Sequence, residues 1–214
     1  TTGWMRGLNV STIRSNTARR VGSASAEKVA LTGKPDAVFQ RWVAKVRTGA
    51  RVTYLDVKQD GLVDLEQLKA AITDHTILVS IMLANNEVGT IQPIAEIGAV
   101  ARRHGVPLHV DAVQTVGKIP LDVRALGVDA LSLASAPLYG PSGAAALYLK
   151  AETRILPLLE GGGQETGARS GQENIPGIVG MGAAADAALA ARGPRAEQLR
   201  RLRDRLGPAA KLVA

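Results

Sequence analysis

The sequence predicts an α/β fold, a mainly parallel sheet covered by helices on both faces. Two observations carry this expectation. From residue 37 onward, short runs rich in Val, Ile and Leu alternate with segments of helical periodicity. One of those runs, Ile77–Met82 (ILVSIM), is nearly continuous in apolar character, the mark of a strand buried on both sides.

The elements follow in order. Residues 1–36 mix Gly, Ser, Thr and Arg without a sustained period and read as a divergent N-terminal segment; residues 37–214 read as one large domain. Val38–Val46 has the spacing of an amphipathic helix, and Val52–Val57 has the β-branched and aromatic content of a strand. Asp60-Gly61 signals a turn. Asp64, followed three residues later by Gln67, forms a capping-box start for a helix over Leu65–Ile72. After the Ile77–Met82 strand, Pro93 opens a helix whose apolar face is Ile94, Ile97, Val100 and Ala101, and Gly105 closes it. Val106–Val110, Val128–Leu133 and Ala144–Leu149 are predicted strands, the last entered through Gly140-Pro141-Ser142-Gly143. Two helices come last, Ile178–Ala191 and, beyond Gly193-Pro194, Arg195–Leu206.

Composition narrows the function classes. The 214 residues include no cysteine, which excludes disulfides, thiolate metal sites and a thiol nucleophile. There is no apolar run long enough to span a bilayer and no signal-peptide pattern, so a cytoplasmic protein is expected. The net charge of +7 comes largely from arginines near the two ends. A basic surface attracts nucleic acid, but no stacking aromatics interleave with these arginines, so a nucleic-acid partner is disfavoured. His75, His104 and His109 are scattered, with no metal-ligand spacing. His109 alternates with Asp111 on one strand and so shares its face.

The chemistry concentrates in Leu108–Lys118 (LHVDAVQTVGK). Asp111 ends an apolar strand, in the region where ligands of parallel sheets sit. A carboxylate there can face a protonated pyridine nitrogen, as a pyridoxal-phosphate ring requires. Gln114 can hydrogen-bond a ring hydroxyl, and Asn86, past the preceding strand, can reach the same edge. Each residue also has a plainer role: Asp111 as a helix cap or turn residue, Asn86 as turn chemistry.

Longer stretches bear on that choice: DGLVDLEQLKAAI, TILVSIMLANNEVGTIQPIAEIGAVARRHGVPLHVDAVQTVGKIPLD, GVDALSLAS, LYGPSGAAALYL and GGGQETGARSGQENIPGIVGMGAA. Over about Ala37 to Ala190 the chain resembles the cysteine desulfurases of the NifS/IscS group, class V aminotransferase-type enzymes that use pyridoxal phosphate. The resemblance implies the large domain of the fold type I transferases, without the C-terminal small domain. It implies that Asp111 pairs with the pyridine nitrogen, that Gln114 and Asn86 contact the ring-hydroxyl side, and that residues 161–177 lie near a dimer partner's cofactor. The family reaction takes sulfur from L-cysteine, leaving alanine and an enzyme persulfide for iron–sulfur cluster or thio-cofactor synthesis.

The departures are specific. After the Val128–Leu133 strand the family reads Ser-Gly/Ala-His-Lys, with serine and histidine holding phosphate and lysine forming the Schiff base. This chain reads Ala134, Ser135, Ala136, Pro137. Proline has no amine to offer, which leaves no catalytic residue at that place; Ser135 is the remaining candidate for the phosphate. Pro35 stands at the ring-stacking histidine, Gln172 at a phosphate-contacting threonine, and Thr166 and Ala168 at two arginines, while Arg169 and Ser170 remain. The nucleophilic cysteine has no counterpart. Lys118 is a surface lysine in the first instance and a substitute amine in the second. Gly161–Gly163 suits either an anion cradle or a tight loop. The expectation is a desulfurase-like chain inactive on its own, or else a non-catalytic partner of an active desulfurase or a sulfur acceptor. It would form a homodimer or a mixed dimer with a paralogue.

Overall fold

Alternate residues of three neighbouring strands point to opposite faces of the sheet, and their chemistry differs sharply between the two. One face carries Val79, Ile81, Leu108, Val110 and Leu131, all buried. The other carries Ser80, Met82, His109, Asp111 and Ser132. The structure is a computed structural model that describes residues 28–31 (backbone), 51–151, 153, 155–157 and 159–206. The predicted helix Val38–Val46 and Pro35 lie outside the described residues.

The strands are β1 (Lys28–Leu31), β2 (Arg51–Tyr54), β3 (Thr76–Met82), β4 (Leu108–Asp111), β5 (Ala130–Ala134) and β6 (Ala145–Leu149). They form one six-stranded sheet in the order β2-β1-β3-β4-β5-β6. All pairings are parallel except β5 with β6. β1 comes from the segment in which the sequence shows no strand pattern. Four residues are too few for a period to emerge, and β1 lies between β2 and β3, so its pairings join residues distant along the chain.

The helices are α1 (Leu65–Ala71), α2 (Ile94–Arg103), α3 (Val123–Leu126) and α4 (Ile175–Arg205). Asp64 caps α1 by accepting from the Glu66 and Gln67 amides at 2.8 and 3.4 Å. The reciprocal half of the predicted capping box is absent. Gln67 Oε1 accepts instead from the Asp56 amide at 2.9 Å, tying the helix to the segment after β2. α2 starts after Pro93, and Gly105, at φ +66, follows its cap. Leu68 of α1 and Ile94, Ile97, Val100 and Ala101 of α2 pack with the apolar sheet face into the main core.

α3 has no counterpart among the predicted elements. Asp122 caps it with bonds to the Arg124 and Ala125 amides, and Gly127 ends it in the left-handed region. A single short turn leaves too few apolar positions for helical periodicity.

The sequence predicts two helices where one stands. α4 is continuous over 31 residues with Pro194 inside it. Asn174 accepts from the Gly177 amide at 3.1 Å, so the helix begins earlier than its apolar pattern suggests. Pro194 removes one backbone donor and crowds the carbonyl four residues back, but the Ala-rich stretch before it and the Arg-, Glu- and Leu-rich stretch after it are good helix formers. α4 builds a second cluster in which Met181, Ala185 and Ala188 meet Leu138 and Ala144 near the C-terminal end of β5.

Candidate cofactor site

β4 delivers Asp111 as its last residue, paired in register with Met82 of β3 and Ser132 of β5. The chain then turns sharply. The Val113 amide donates to Asp111 Oδ1 at 3.0 Å, which fixes the carboxylate at the mouth of the turn. No hydrogen bond reaches its second oxygen among the described residues. A seated carboxylate with one open oxygen, partly buried beyond a parallel strand, is what a protonated ring nitrogen needs as a partner.

Gln114 follows in the same turn. Lys118 Nζ donates to Gln114 Oε1 at 3.3 Å, so this amine stands beside the carboxamide and is exposed. Asn86 is exposed at the tip of a turn. The work of shaping that turn belongs to Asn85, whose Oδ1 accepts from the Glu87 and Val88 amides at 2.8 and 2.9 Å. No hydrogen bond joins Asn86 to Asp111 or Gln114 among the described residues.

Ser135 differs from expectation. Its side chain is fully buried and its hydroxyl has no hydrogen-bond partner. A Cβ added to Gly140 would lie 2.4 Å from Ser135 Oγ, so the hydroxyl faces the returning backbone and offers no surface to a phosphate. The chain must double back here: a 3-10 turn, Ala136–Leu138, is followed by Tyr139 at φ 64. The returning strand β6 draws Ser135 inward, and its amide donates to Ala144 O at 3.0 Å. Pro137 lies within this turn and Ala136 is exposed on it, so the loop after β5 presents no side-chain donor at either position.

The triple glycine closes on itself. Ser170 Oγ donates to Gly162 O at 2.8 Å, and the Gly171 amide donates to Gln164 Oε1 at 3.2 Å. Arg169 Nη1 donates to Ser170 O at 2.9 Å. These bonds make residues 161–171 a tied loop.

Sequence reasoning missed the partners of His109. Ser80 Oγ lies 2.7 Å from His109 Nδ1, and Ser132 Oγ lies 2.8 Å from His109 Nε2. The imidazole therefore bridges β3 and β5 from β4. Burial pushes its pKa below the ordinary 6.5, outweighing the opposite pull of the Asp111 carboxylate. A signal existed: Ser80 is the lone hydroxyl in an otherwise apolar run, and a polar residue inside a buried strand needs a partner. Among the described residues no group of acidic, histidine or cysteine side chains is placed to hold a metal ion.

A mostly parallel sheet with helices and an acid at the end of its fourth strand is the architecture of the fold type I pyridoxal-phosphate enzymes, the class to which the family and structural matches assign this chain. Comparison with known proteins makes this specific. The family model for class-V aminotransferases matches residues 31–202. The chain belongs to that family, in its cysteine desulfurase branch. It is 49% identical over 172 residues to the cysteine desulfurase IscS of Anaeromyxobacter dehalogenans, covering 79% of this chain and 43% of the relative. To the cysteine desulfurase IscS of Methanosarcina thermophila it is 50% identical over 158 residues, covering 74% and 39%. A solved NifS-like protein superposes with a TM-score of 0.80 at 38% identity, covering 86% of this chain and 51% of that one. The chain thus spans less than half the length of these curated relatives, and the family cofactor is pyridoxal phosphate.

Proposed function

We propose that this chain carries the ring-recognising half of a pyridoxal-phosphate site and does not desulfurate cysteine by itself. The observation that carries the reading is Pro137 in the turn leaving β5. By family resemblance the Schiff-base lysine belongs there, and a proline ring cannot supply it. Asp111, with an open carboxylate oxygen, suits the pyridine nitrogen; Gln114 and Asn86 are proposed for the ring-hydroxyl edge. The residues present fit the ring and not the anchor, because Ser135 is buried and Ala136 has no donor. With no cysteine in the sequence, no thiolate is available to accept sulfur.

The test is incubation with pyridoxal phosphate, borohydride reduction and peptide mapping, alongside an assay of alanine released from L-cysteine. The expected result is no alanine and no adduct at Lys118 above the level of other exposed lysines. Alanine release by the pure chain would overturn the proposal. The double substitution Ala136→His, Pro137→Lys is expected to yield a coloured cofactor complex; a colourless protein would show that the floor around Asp111 does not recognise the ring.

A second reading is favoured by Ile175, Ile178 and Val179, which α4 leaves 55%, 45% and 67% exposed near its start. In it the chain is a non-catalytic partner, pairing with itself, with an active paralogue, or with a sulfur-acceptor protein of iron–sulfur or thio-cofactor synthesis. Sizing and pull-down with an active desulfurase test it, and a monomer under both conditions would remove it. The proposed compartment is the cytoplasm, on the lack of cysteine; among the described residues no helix is long and apolar enough to cross a membrane.

A further inference from the structure

Asp111 and His109 sit two residues apart on one strand face, and a carboxylate beside an imidazole ordinarily takes it as a partner. Here it does not. Both ring nitrogens of His109 are occupied by hydroxyls, Nδ1 by Ser80 of β3 at 2.7 Å and Nε2 by Ser132 of β5 at 2.8 Å. Asp111 bonds the Val113 amide instead.

We propose that the Ser80–His109–Ser132 chain is a positioning device for Asp111: by satisfying both imidazole nitrogens across three strands, it keeps the carboxylate seated on Val113 with one oxygen open to a cationic ring nitrogen. The inference rests on the reading of Asp111 given above and adds His109, Ser80 and Ser132 to it as positioning residues.

The physical argument is one of competition. A neutral imidazole has one N–H and one lone pair, and a hydroxyl can donate or accept. Two serines therefore satisfy it in either tautomer. Burial favours the neutral ring, and Ser80 is itself only 4% exposed. Were His109 protonated, its positive charge would stand next to Asp111 and compete with any cationic ligand for the same acid. Asp111 is the one charged group that acts on the imidazole among the described residues; the groups facing it from β3 and β5 are the two neutral hydroxyls. Removing a hydroxyl frees a ring nitrogen, and the charge that acts on it is the Asp111 carboxylate.

NMR of the full chain tests this without any ligand, through the His109 ring nitrogens and the Val113 amide. In the native protein His109 is expected as a neutral ring titrating below 6.5. In Ser80→Ala, and more in Ser80→Ala with Ser132→Ala, the His109 midpoint is expected to move upward and the Val113 amide signal to shift. Amides of Val110 and Leu131 in the same strands should stay in place. His109→Gln, which can donate and accept, is expected to retain the Val113 signal, and His109→Phe to lose it. If the midpoint and the Val113 signal are unmoved in the serine variants, or if Val113 shifts only in step with every strand amide, the positioning role is wrong. If the double variant does not fold, the single Ser80→Ala and His109→Gln proteins decide the matter. Titration of the native chain with pyridoxamine phosphate, which needs no lysine, reads the other claim. Absence of any change at Val113 would sink ring recognition, while the serine variants would still decide the role of the histidine.

Discussion

Ser135 and His109 show opposite ways for a sheet to house a polar side chain. The Ser135 hydroxyl is buried without a partner, a condition that costs about 1–3 kcal/mol. Ser135→Ala is therefore expected to raise stability by about 1–3 kcal/mol, measured by denaturant unfolding; a loss would mean the hydroxyl has a partner in solution. His109 is fully partnered yet held neutral. Its pKa lies below 6.5 in the folded chain, so between the folded and unfolded values the unfolded state binds more protons. The His109 contribution to stability is complete above pH ~6.5 and declines as pH falls below it. In His109→Gln that part of the pH dependence should vanish. Asp111 itself was legible, because an apolar strand ending in an acid is a simple pattern. The inward turn of Ser135 was not, since it depends on how β6 comes back against β5, and no local spacing records that.

The cap of α1 and both bounds of α2 were legible in the sequence, while α3 and the start of α4 were not. Asp64 at α1 and Asp122 at α3 accept backbone amides, which hold their carboxyls below the usual carboxylate range. Both caps are present above the ordinary carboxylate value and weaken as pH falls through the folded one. Asp64→Asn keeps an acceptor and should remove this acid dependence of α1 with little loss at neutral pH, readable from amide exchange in Leu68 to Ala71. The joint at Gly193-Pro194 misleads because proline normally ends a helix; in α4 both residues are exposed, and nothing lies within 4 Å of the position a Gly193 Cβ would take. No neighbouring element among the described residues forces a bend there. Pro194→Ala should strengthen the helix locally by up to ~3 kcal/mol, seen as slower exchange of the amides after residue 194; an unchanged rate would mean the helix is interrupted there.

For the molecule as a whole, stability resides in the core between the β3–β5 face and helices α1 and α2. Leu131→Ala, at a site only 1% exposed, should cost about 2–5 kcal/mol in chemical unfolding, whereas Leu199→Ala, 59% exposed, should change little. The parallel sheet was legible because β3 is a near-continuous apolar run and short Val-, Ile- and Leu-rich strands alternate with helical segments. The order of its strands was not, since β1 gives no local signal and enters the sheet by pairing with distant neighbours. α4 has one further consequence. Its buried residues are Gly177, Met181, Ala185 and Ala188, and past them, among the described residues, Arg195 lies over the exposed Tyr139 ring at 5.0 Å. Thirty-one residues run ~46 Å, against a sheet only ~24 Å across its six strands. A change of ~20° at Pro194 would therefore swing the arginine-rich tip through roughly 6 Å, straining the Arg195–Tyr139 stack and none of the buried residues of α4.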